Sequence, residues 1–420
     1  MNKRLMRLAI NFLAVFVILC AAGSQALADA KTAAADLEKL GGKLVRDAGG
    51  DVTTIDMSAA EFGDARVPLL LNFPKANRLI LWGAGITDQG VKQLAKLQNL
   101  QTLVLENTEI TNEGVAWLAK MPQLRVINLR RSTYLDDDAL AKLSGMKQLE
   151  QLILLYNNFT DEGLSHLKNL KKLKLIDLRG CSLISNEGLT HLTGLPNLQR
   201  LKLRCPAVDD VGIEILRKFP KLRGVLLEDS AITNEGVKHL IVHDKLDELS
   251  LFRTYINDDA LVALAPMWRL KQISIRDTPI NGSGLVNLKK SAESLRIIDV
   301  SETQTNDAGL AHLAPIVNLE RLNLWHTQVS DKGLAHLAGL KKLIWLNLQT
   351  TGVTDQGLAP LGGLTALKYL NLGETAVTDA GLRHLEGLKH LGELRLEFTK
   401  VSDAGAAQLN KALPELKIYR

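Results

Sequence analysis

A segment that begins with Leu-Asn-Leu recurs in this chain at a spacing of 24 residues. The copies are LNLWHTQVSDKGLAHLAGLKKL from Leu322, LNLQTTGVTDQGLAPLGGLTAL from Leu346 and LNLGETAVTDAGLRHLEGLKHL from Leu370. A period of this length with leucine at fixed offsets is typical of a solenoid, in which each repeat forms one rung of a stack. Because a single repeat cannot bury its own leucines, this period constrains the fold more than the composition does.

Each repeat is predicted to contain a short strand, a turn and a short helix. Leu322 and Leu324 alternate with Asn323, so both leucines point to the same face of a strand. A second group of leucines follows at the helical spacing of three. Ser330 precedes this helix, where its hydroxyl can accept a hydrogen bond from the first turn, and Asp331 follows it, where the helix dipole favours a carboxylate.

The register continues through most of the chain in steps of 24 or 25 residues. The second apolar position of each strand is occupied by Leu81, Leu105, Leu129, Leu154, Leu178, Leu203, Leu227, Leu251, Ile275, Val300, Leu324, Leu348, Leu372 and Leu396. The position before each helix holds Thr87, Thr111, Asp136, Thr160, Ser185, Asp209, Thr233, Asn257, Asn281, Asn306, Ser330, Thr354, Thr378 and Ser402. All belong to the four residue types that cap helices best, so we expect a helical turn in every rung.

The first 28 residues are predicted to be a secretory signal peptide. Three basic residues precede an apolar stretch from Leu8 to Cys20, and Ala26-Leu27-Ala28 fits the pattern of small residues at a cleavage site. A lipoprotein signal fits less well, because Leu19 before Cys20 is not small. No later apolar run is long enough to cross a bilayer. We therefore expect export to the periplasm, the cell surface or the medium, without a transmembrane segment in the mature chain.

The remainder is predicted to be one continuous α/β solenoid. Residues 29–57 are expected to form an N-terminal capping helix, over 30–47, followed by a first strand. Residues 58–416 carry the repeats, and residues 417–420 form an end strand at the C-terminus. Terminal rungs must be covered because their apolar sides would otherwise meet water.

Charge and cysteine content exclude some classes of partner. The net charge of +5 becomes +2 without Lys3, Arg4 and Arg7 (5 − 3 = 2), which gives no electrostatic reason to expect a nucleic acid. Cys181 and Cys205 lie on neighbouring rungs but at different offsets from their strand leucines. Two separate thiols are therefore favoured over a disulfide, although export would permit one.

The unit T-x-[VI]-[TS]-D-x-G-L-x-x-L-x-x-L resembles the leucine-rich repeats of bacterial proteins abundant in planctomycetes. It is also similar to the ribonuclease-inhibitor-like repeats of F-box substrate receptors. The resemblance covers roughly residues 50 to 420. It implies a curved horseshoe with a parallel sheet on the concave side, short helices on the convex side and a role in protein–protein interaction.

The first rungs place apolar residues on the predicted concave face. This strip comprises Ile80, Trp82, Val104, Val126, Ile153 and Leu155. An exposed apolar strip of this kind points to a partner. The alternative is that the N-terminal segment of the chain folds over it.

A second patch on the predicted concave face is basic. It contains Arg179, Arg200, Lys202, Arg204, Phe252, Arg253 and Arg276. Arginine and aromatic side chains are common at interface hot spots. Asp229, Arg253 and Asp277 share one offset on consecutive rungs, however, so a ladder of ion pairs is favoured for Arg253. The role of Arg179 and Arg204 stays open.

A third patch is aromatic and comprises Trp325, His326, Trp345 and Tyr369. Trp345 and Tyr369 share an offset on adjacent rungs, so their rings could stack. These side chains could hold a peptide or a sugar ring. Packing between rungs is the alternative and is slightly favoured.

Histidines recur in the predicted helices at His166, His191, His239, His312, His336 and His384. His312 and His336 lie on adjacent rungs, but a polar position on the outer helix explains the column better than a metal site does. The chain contains no HExxH, paired CxxC, G-x-S-x-G or P-loop motif.

The sequence therefore predicts a monomeric, exported scaffold without enzymatic activity, cofactor or metal. A protein or peptide would bind on the concave face through Arg179, Arg204, Phe252, Arg276, Trp325, His326, Trp345 and Tyr369. The alternative is a glycan or cell-wall binder that uses the concave aromatic residues.

Overall fold

The computed structural model describes residues 29–420, so the predicted signal peptide lies outside the described residues. The chain consists of two compact units, with the boundary between Leu173 and Lys174. We call residues 29–173 unit 1 and residues 174–420 unit 2. No helix in residues 29–420 has both the length and the hydrophobicity of a membrane span.

Unit 1 alternates short strands with short helices. Its strands are β1 (Lys43–Arg46), β2 (Val52–Asp56), β3 (Arg78–Trp82), β4 (Thr102–Glu106), β5 (Val126–Asn128) and β6 (Gln151–Ile153). Its α-helices are α1 (29–39), α2 (Val67–Leu70), α3 (Asp88–Leu94), α4 (Asn112–Leu118), α5 (Asp137–Leu143) and α6 (Asp161–Ser165), with 3-10 turns at Asp64–Arg66 and His166–Asn169.

Unit 2 continues the same alternation. Its strands are β7 (Leu175–Arg179), β8 (Arg200–Arg204), β9 (Gly224–Glu228), β10 (Glu248–Phe252), β11 (Gln272–Ser274), β12 (Ile297–Asp299), β13 (Arg321–Asn323), β14 (Trp345–Asn347), β15 (Tyr369–Asn371), β16 (Glu393–Arg395) and β17 (Lys417–Tyr419). Its α-helices are α7 (Asn186–Leu192), α8 (Asp210–Leu216), α9 (Asn234–Lys238), α10 (Asp258–Ala263), α11 (Asp307–Ala311), α12 (Asp331–Leu334), α13 (Asp379–Leu382) and α14 (Asp403–Ala412). The 3-10 helices are His239–Val242, Ser283–Ser291, Ala335–Leu337, Asp355–Gly363 and Arg383–Leu385.

Within each unit, consecutive strands from β2 onward pair in parallel, in the register that the repeat predicts. Leu322 lies opposite Leu346, and Leu346 lies opposite Leu370. The column of second apolar positions, from Leu81 to Leu396, is at most 1 % exposed in every rung. The predicted α/β solenoid with a parallel sheet and one helical segment per rung is therefore confirmed.

The N-terminal segment differs from the predicted helix over residues 30–47. Helix α1 ends at residue 39, and β1 then pairs antiparallel with β2. Gly41 adopts a left-handed conformation with φ +93°, which a helix cannot contain. Leu44 and Val45, which lie within the predicted helix, are therefore part of a strand. Helix α1 still buries Ala33, Ala34 and Leu37.

The predicted helix caps are formed in most rungs. The cap side chain accepts a hydrogen bond from the first turn at Thr87, Thr111, Asp136, Ser185, Asp209, Thr233, Asn257, Asn306, Thr354, Thr378 and Ser402. At Thr160 and Ser330 the side chain makes no such bond to its own helix.

The aspartate after the cap has a second role that the sequence analysis missed. Asp331 accepts hydrogen bonds from the backbone N–H of Thr354 (2.7 Å) and from its hydroxyl (2.6 Å), one rung further along. The same pair of bonds joins Asp64 to Thr87, Asp88 to Thr111, Asp137 to Thr160, Asp210 to Thr233, Asp307 to Ser330, Asp355 to Thr378 and Asp379 to Ser402. The helices of neighbouring rungs are thus tied together by charge-assisted bonds.

Where the cap is itself Asp or Asn, the preceding rung often supplies Asn instead of Asp. The Asn112 amide donates to Asp136 (2.6 Å), and the Asn186 amide donates to Asp209 (2.7 Å). Two aspartates in contact would repel each other, whereas an amide has the donor that the pair needs. The pattern of Asp in one rung with Thr or Ser as the cap of the next rung therefore indicates a hydrogen-bonded contact between rungs.

Candidate functional site

The strands of unit 2 have one face buried against leucines and one face without that cover, which we call the open face. In β14, Leu346 is buried, and Trp345 and Asn347 on the open face are half-buried. All eight predicted binding residues lie on or beside the open face of unit 2, between the end of β7 and β15. Unit 1 contributes none of them.

The apolar strip of unit 1 is not covered by the N-terminal segment, so that alternative is wrong for the described residues. Trp82 is 45 % exposed, and Ile80, Val104 and Val126 stay half-buried. Strand β1 extends the sheet at its edge and does not cross this face. Of the six residues of the strip, Leu155 is buried and the other five remain partly accessible in unit 1.

Arg179, at the end of β7, is bound by acidic neighbours. Its guanidinium donates to Asp177 (2.9 Å) and to Glu228 (3.3 Å), two strands away. The hydrogen bond to Asp177, strengthened by the nearby charges, raises the pKa of Arg179 further above its usual value. This side chain is held in place and largely neutralised.

A ladder of ion pairs runs beside Arg179 through the turns after the strands. Arg204 pairs with Asp229, Arg253 bridges Asp229 (3.1 Å) and Asp277 (2.6 Å), and each rung supplies one member. The predicted ladder around Arg253 is confirmed, and Arg204 belongs to it. Arg179 and Arg204 are therefore paired within the chain and are weaker candidates for direct ligand contact than the aromatic residues.

Arg276 joins the basic patch to the aromatic patch. Its guanidinium lies 5.0 Å from the ring centre of Phe252 and 5.1 Å from that of Trp325, and Nε donates to Glu302 (2.6 Å). Arg276 and Trp325 are two rungs apart, and the intervening position holds Ser301, which is fully buried. The small serine leaves room for the guanidinium to reach the tryptophan.

Trp345 and Tyr369 stack as their shared offset predicts. Their ring centres are 5.0 Å apart and their planes differ by 7°. The guanidinium of Arg321, in the same column one strand earlier, lies 4.7 Å from the Trp345 ring. Burial raises the pKa of Tyr369 above its ordinary value, so its phenol is neutral at pH 7. Both faces of Trp345 are thus covered, by Arg321 and by Tyr369.

His326 occupies the turn directly after Trp325. Its backbone is left-handed, with φ 53°, and the two ring centres are 6.2 Å apart at an angle of 51°. The turn is stabilised by Thr327, whose hydroxyl donates to the Leu324 carbonyl (2.7 Å). Asn323 accepts from the backbone N–H of Trp325 (3.2 Å) and so stabilises the backbone where it leaves β13.

Sequence reasoning missed three members of this surface, Arg321, Arg395 and Tyr419. Arg321 shares the column of Trp345 and Tyr369 and was detectable from that offset. Arg395 lies 5.0 Å from the Tyr419 ring and extends the series of cations and rings to β17. We call Phe252, Arg276, Arg321, Trp325, Trp345 and Tyr369 the aromatic row.

Metal ligation finds no support in the part of the chain that the structure describes. No group of three or more His, Cys, Asp or Glu side chains in residues 29–420 is placed to hold an ion. Cys181 and Cys205 are both buried thiols. The Cys205 Sγ lies 3.5 Å from the Leu178 carbonyl, as its donor.

Comparison with protein families gives one match. A model described as "Leucine Rich repeat" matches residues 96–119, which begin just after α3 and include β4 and α4. No curated protein matches the chain. The matched segment is one rung long, in agreement with the 24-residue period.

Solved structures with this fold come from different organisms. A leucine-rich repeat protein of Leptospira interrogans is 18 % identical, with a TM-score of 0.51, over 84 % of this chain and 92 % of that one. An internalin of Listeria monocytogenes is 19 % identical, with a TM-score of 0.49, over 79 % and 93 %. The ectodomain of the Arabidopsis receptor kinase HAESA, solved with a peptide hormone, is 18 % identical, with a TM-score of 0.44, over 90 % and 71 %. The Leptospira likeness supports the same repeat fold and does not extend to function.

Proposed function

We propose that this leucine-rich repeat protein is an exported interaction scaffold that holds a protein or peptide on the open face of unit 2. The aromatic row is the observation that carries the proposal. Its rings and guanidinium groups lie 4.7 to 5.1 Å apart across several strands. Such stacked side chains lose little conformational freedom when a ligand binds, so their contacts contribute more fully to affinity.

The chemistry of the row favours an acidic ligand that also carries apolar side chains. Arg321 is exposed and forms no ion pair with any described residue, in contrast to Arg179, Arg204 and Arg276. A carboxylate beside Trp345 would therefore meet a cation that has no ion-pair partner among residues 29–420. Tryptophan and arginine are also the residue types that contribute most often to interface hot spots.

A glycan held by ring stacking is the weaker alternative at this surface. A sugar ring would need a free aromatic face, but Trp345 has Arg321 on one side and Tyr369 on the other. The edges of the rings, together with the arginine, remain available. Contacts of this kind suit a peptide better than a pyranose ring.

The test is capture from an envelope extract by purified protein that begins at Asp29. We expect a defined partner to bind the wild type and to be lost with Trp345→Ala/Tyr369→Ala. The control is Tyr255→Ala, because Tyr255 is 74 % exposed and lies in a turn outside the row. Captured proteins are identified by mass spectrometry and confirmed with the isolated partner by calorimetry.

Equal capture by the wild type, the double variant and the control would contradict the proposed site. Export has its own test, because cleavage after Ala28 predicts a mature N-terminus at Asp29. N-terminal sequencing of the protein from the native cell decides this point independently of binding.

A further inference from the structure

A second surface of unit 2 lies along the side of the sheet where the strands begin, in the loops that lead from the helices into the strands. Between the rungs of β9 and β12 these loops line a cleft of about 460 Å³, which we call the edge cleft. This volume lies in the usual range of ligand pockets. The aromatic row lies on a different surface, the open face of the strands.

The cleft contains an exposed tryptophan where most other rungs have polar residues or proline. Trp268 is 53 % exposed, and the guanidinium of Arg269 lies 4.2 Å from its ring. The equivalent position holds Asp244 one rung earlier and Lys341 three rungs later. An exposed ring in this loop is therefore not a requirement of the repeat.

The loop that carries Trp268 is held in place by the next rung. Ser294 Oγ lies within donating distance of the Trp268 carbonyl (3.1 Å) and of the Leu270 carbonyl (2.8 Å). Ser291 Oγ, which is buried, donates to the Met267 carbonyl (2.8 Å). The tryptophan is thus presented by a fixed backbone, as a pre-organised binding group requires.

The charge of the cleft is strongly positive. Lys245, Arg269, Lys271 and Lys290 line it, and none of them forms an ion pair within residues 29–420. Glu293 is the one lining carboxylate without an arginine partner among the described residues. The cleft therefore carries an excess of three positive charges at neutral pH.

The other lining carboxylate is already neutralised. Asp247 is 6 % exposed and is bound by Arg223 (2.5 Å) and by Arg200 (3.2 Å). These pairs form the wall of the cleft beside the unpaired cations. In the ion-pair ladder of the open face the arginines are matched by acids, so the excess charge here is a local feature.

We propose that this edge cleft binds an acidic polysaccharide, with Trp268 against a sugar ring and the four cations on its carboxylate or sulfate groups. Lys245 and Arg269 occupy one position on adjacent rungs, and strands of a sheet lie about 4.8 Å apart. That spacing is close to the length of one pyranose unit, so successive sugars can meet successive rungs. A ligand that contacts both the Trp268 ring and the cations must carry a sugar ring as well as negative charges, which a simple anion does not.

The experiment measures calorimetric affinity for two acidic probes, a heparin hexasaccharide and a galacturonic acid hexamer, at about 150 mM salt. Maltohexaose is the neutral probe, and single-stranded DNA of equal charge tests for a nucleic acid. Binding of either acidic probe but not of maltohexaose is expected. The stronger of the two probes shows whether sulfate or carboxylate is preferred.

The variants separate the ring from the charge. Trp268→Ala should weaken binding about tenfold, and Trp268→Phe should retain most of it, as expected for one aromatic stack. Lys271→Glu/Lys290→Glu should weaken it by about tenfold or more, because like charges then face the ligand. Lys341→Glu/Lys342→Glu is the matched control, with the same change of charge in an equivalent loop three rungs later.

Unchanged melting of the variants shows that they fold. The proposal is overturned if neither acidic probe binds, or if Trp268→Ala and the control behave alike. It is also overturned if DNA binds more tightly than both oligosaccharides, which would make the cleft a nucleic-acid site. None of these outcomes depends on the partner of the aromatic row.

Discussion

The two faces of the same strands carry different kinds of information. On the buried face every rung repeats Leu, Ile or Val, and the column from Leu81 to Leu396 is sealed from water. On the open face the residue types change along the chain, because the offset that holds Ile80 and Val104 in unit 1 holds Asn323 and Asn347 in unit 2. The buried face specifies the fold many times over, whereas the open face carries the ligand site that we propose in only a few rungs.

This contrast explains why the residue types of the open face can vary without loss of the packing on the buried face. Side chains on opposite faces of a strand do not touch, and coupling in a solenoid is confined to neighbouring rungs. Substitutions on the open face can therefore change recognition at little cost in stability. The following predictions test that separation, beginning with the largest expected effect.

Two adjacent residues of β13 give the most direct test. Leu322→Ala removes a side chain with no exposure and should lower the free energy of unfolding by about 2–5 kcal/mol. Arg321→Ala, on the open face, should lower it by about 1 kcal/mol or less through loss of the contact with Trp345. Urea denaturation followed by circular dichroism measures both, and equal losses would refute the separation of the two faces.

The contact between helices of neighbouring rungs should be nearly as sensitive. A methyl group at Gly357 would clash with the Asp331 carboxylate, which is held by Thr354, whereas one at Gly339 would meet open space. Gly357→Ala should therefore cost about 1–3 kcal/mol and Gly339→Ala almost nothing. If the two variants melt at the same temperature, the Asp–Thr–Gly contact does not stabilise the stack.

Much of this fold is readable from the sequence because each local signal is repeated. Strand positions, helix caps and the stack of Trp345 on Tyr369 all follow from the period, as does the ladder through Arg253. Three further contacts do not. The hairpin of β1 and β2 lies outside the repeat, Arg276 reaches past Ser301 to a second rung, and Trp268 of the edge cleft occurs at an offset where no other rung has an aromatic residue.

The role of the aspartate after each helix cap was missed for a different reason. An aspartate after a helix cap has a sufficient local explanation in the helix dipole, so nothing in one repeat demanded a partner. The signal lay between repeats, in the replacement of Asp by Asn at 112 and 186, where the next cap is Asp136 or Asp209. Pairs of rungs, rather than single rungs, must be compared to find such contacts.

His243 is a polar exception at a leucine position of the core, in the loop between the 3-10 helix His239–Val242 and β10. It occupies a position that holds Leu97 or Leu340 in other rungs, is 5 % exposed, and its Nε2 atom has no hydrogen-bond partner among the described residues. Burial lowers the pKa of His243 below 6.5, although a backbone hydrogen bond at Leu216 acts in the opposite direction. The folded protein therefore favours the neutral ring.

The sign of the pH effect follows from this. Above pH 6.5 the ring is neutral in both states, and the fold has its full stability. As the pH falls through 6.5 towards the lower pKa of the folded state, the unfolded chain takes up the proton first and stability declines. Melting temperatures between pH 7.5 and 5 should fall less in His243→Leu than in the wild type, and parallel curves would refute the assignment.

The smallest effect concerns Arg253, where the open face meets the turns. Its ion pairs are exposed, so Arg253→Ala should change stability by no more than about 0.5 kcal/mol, and by less at high salt. Its backbone is left-handed, with φ 51°, a conformation that glycine adopts without strain. Arg253→Gly should therefore be more stable than Arg253→Ala by about 1 kcal/mol. If alanine proves as stable as glycine, the turn tolerates this conformation without cost, and the ion pairs alone determine what this position contributes.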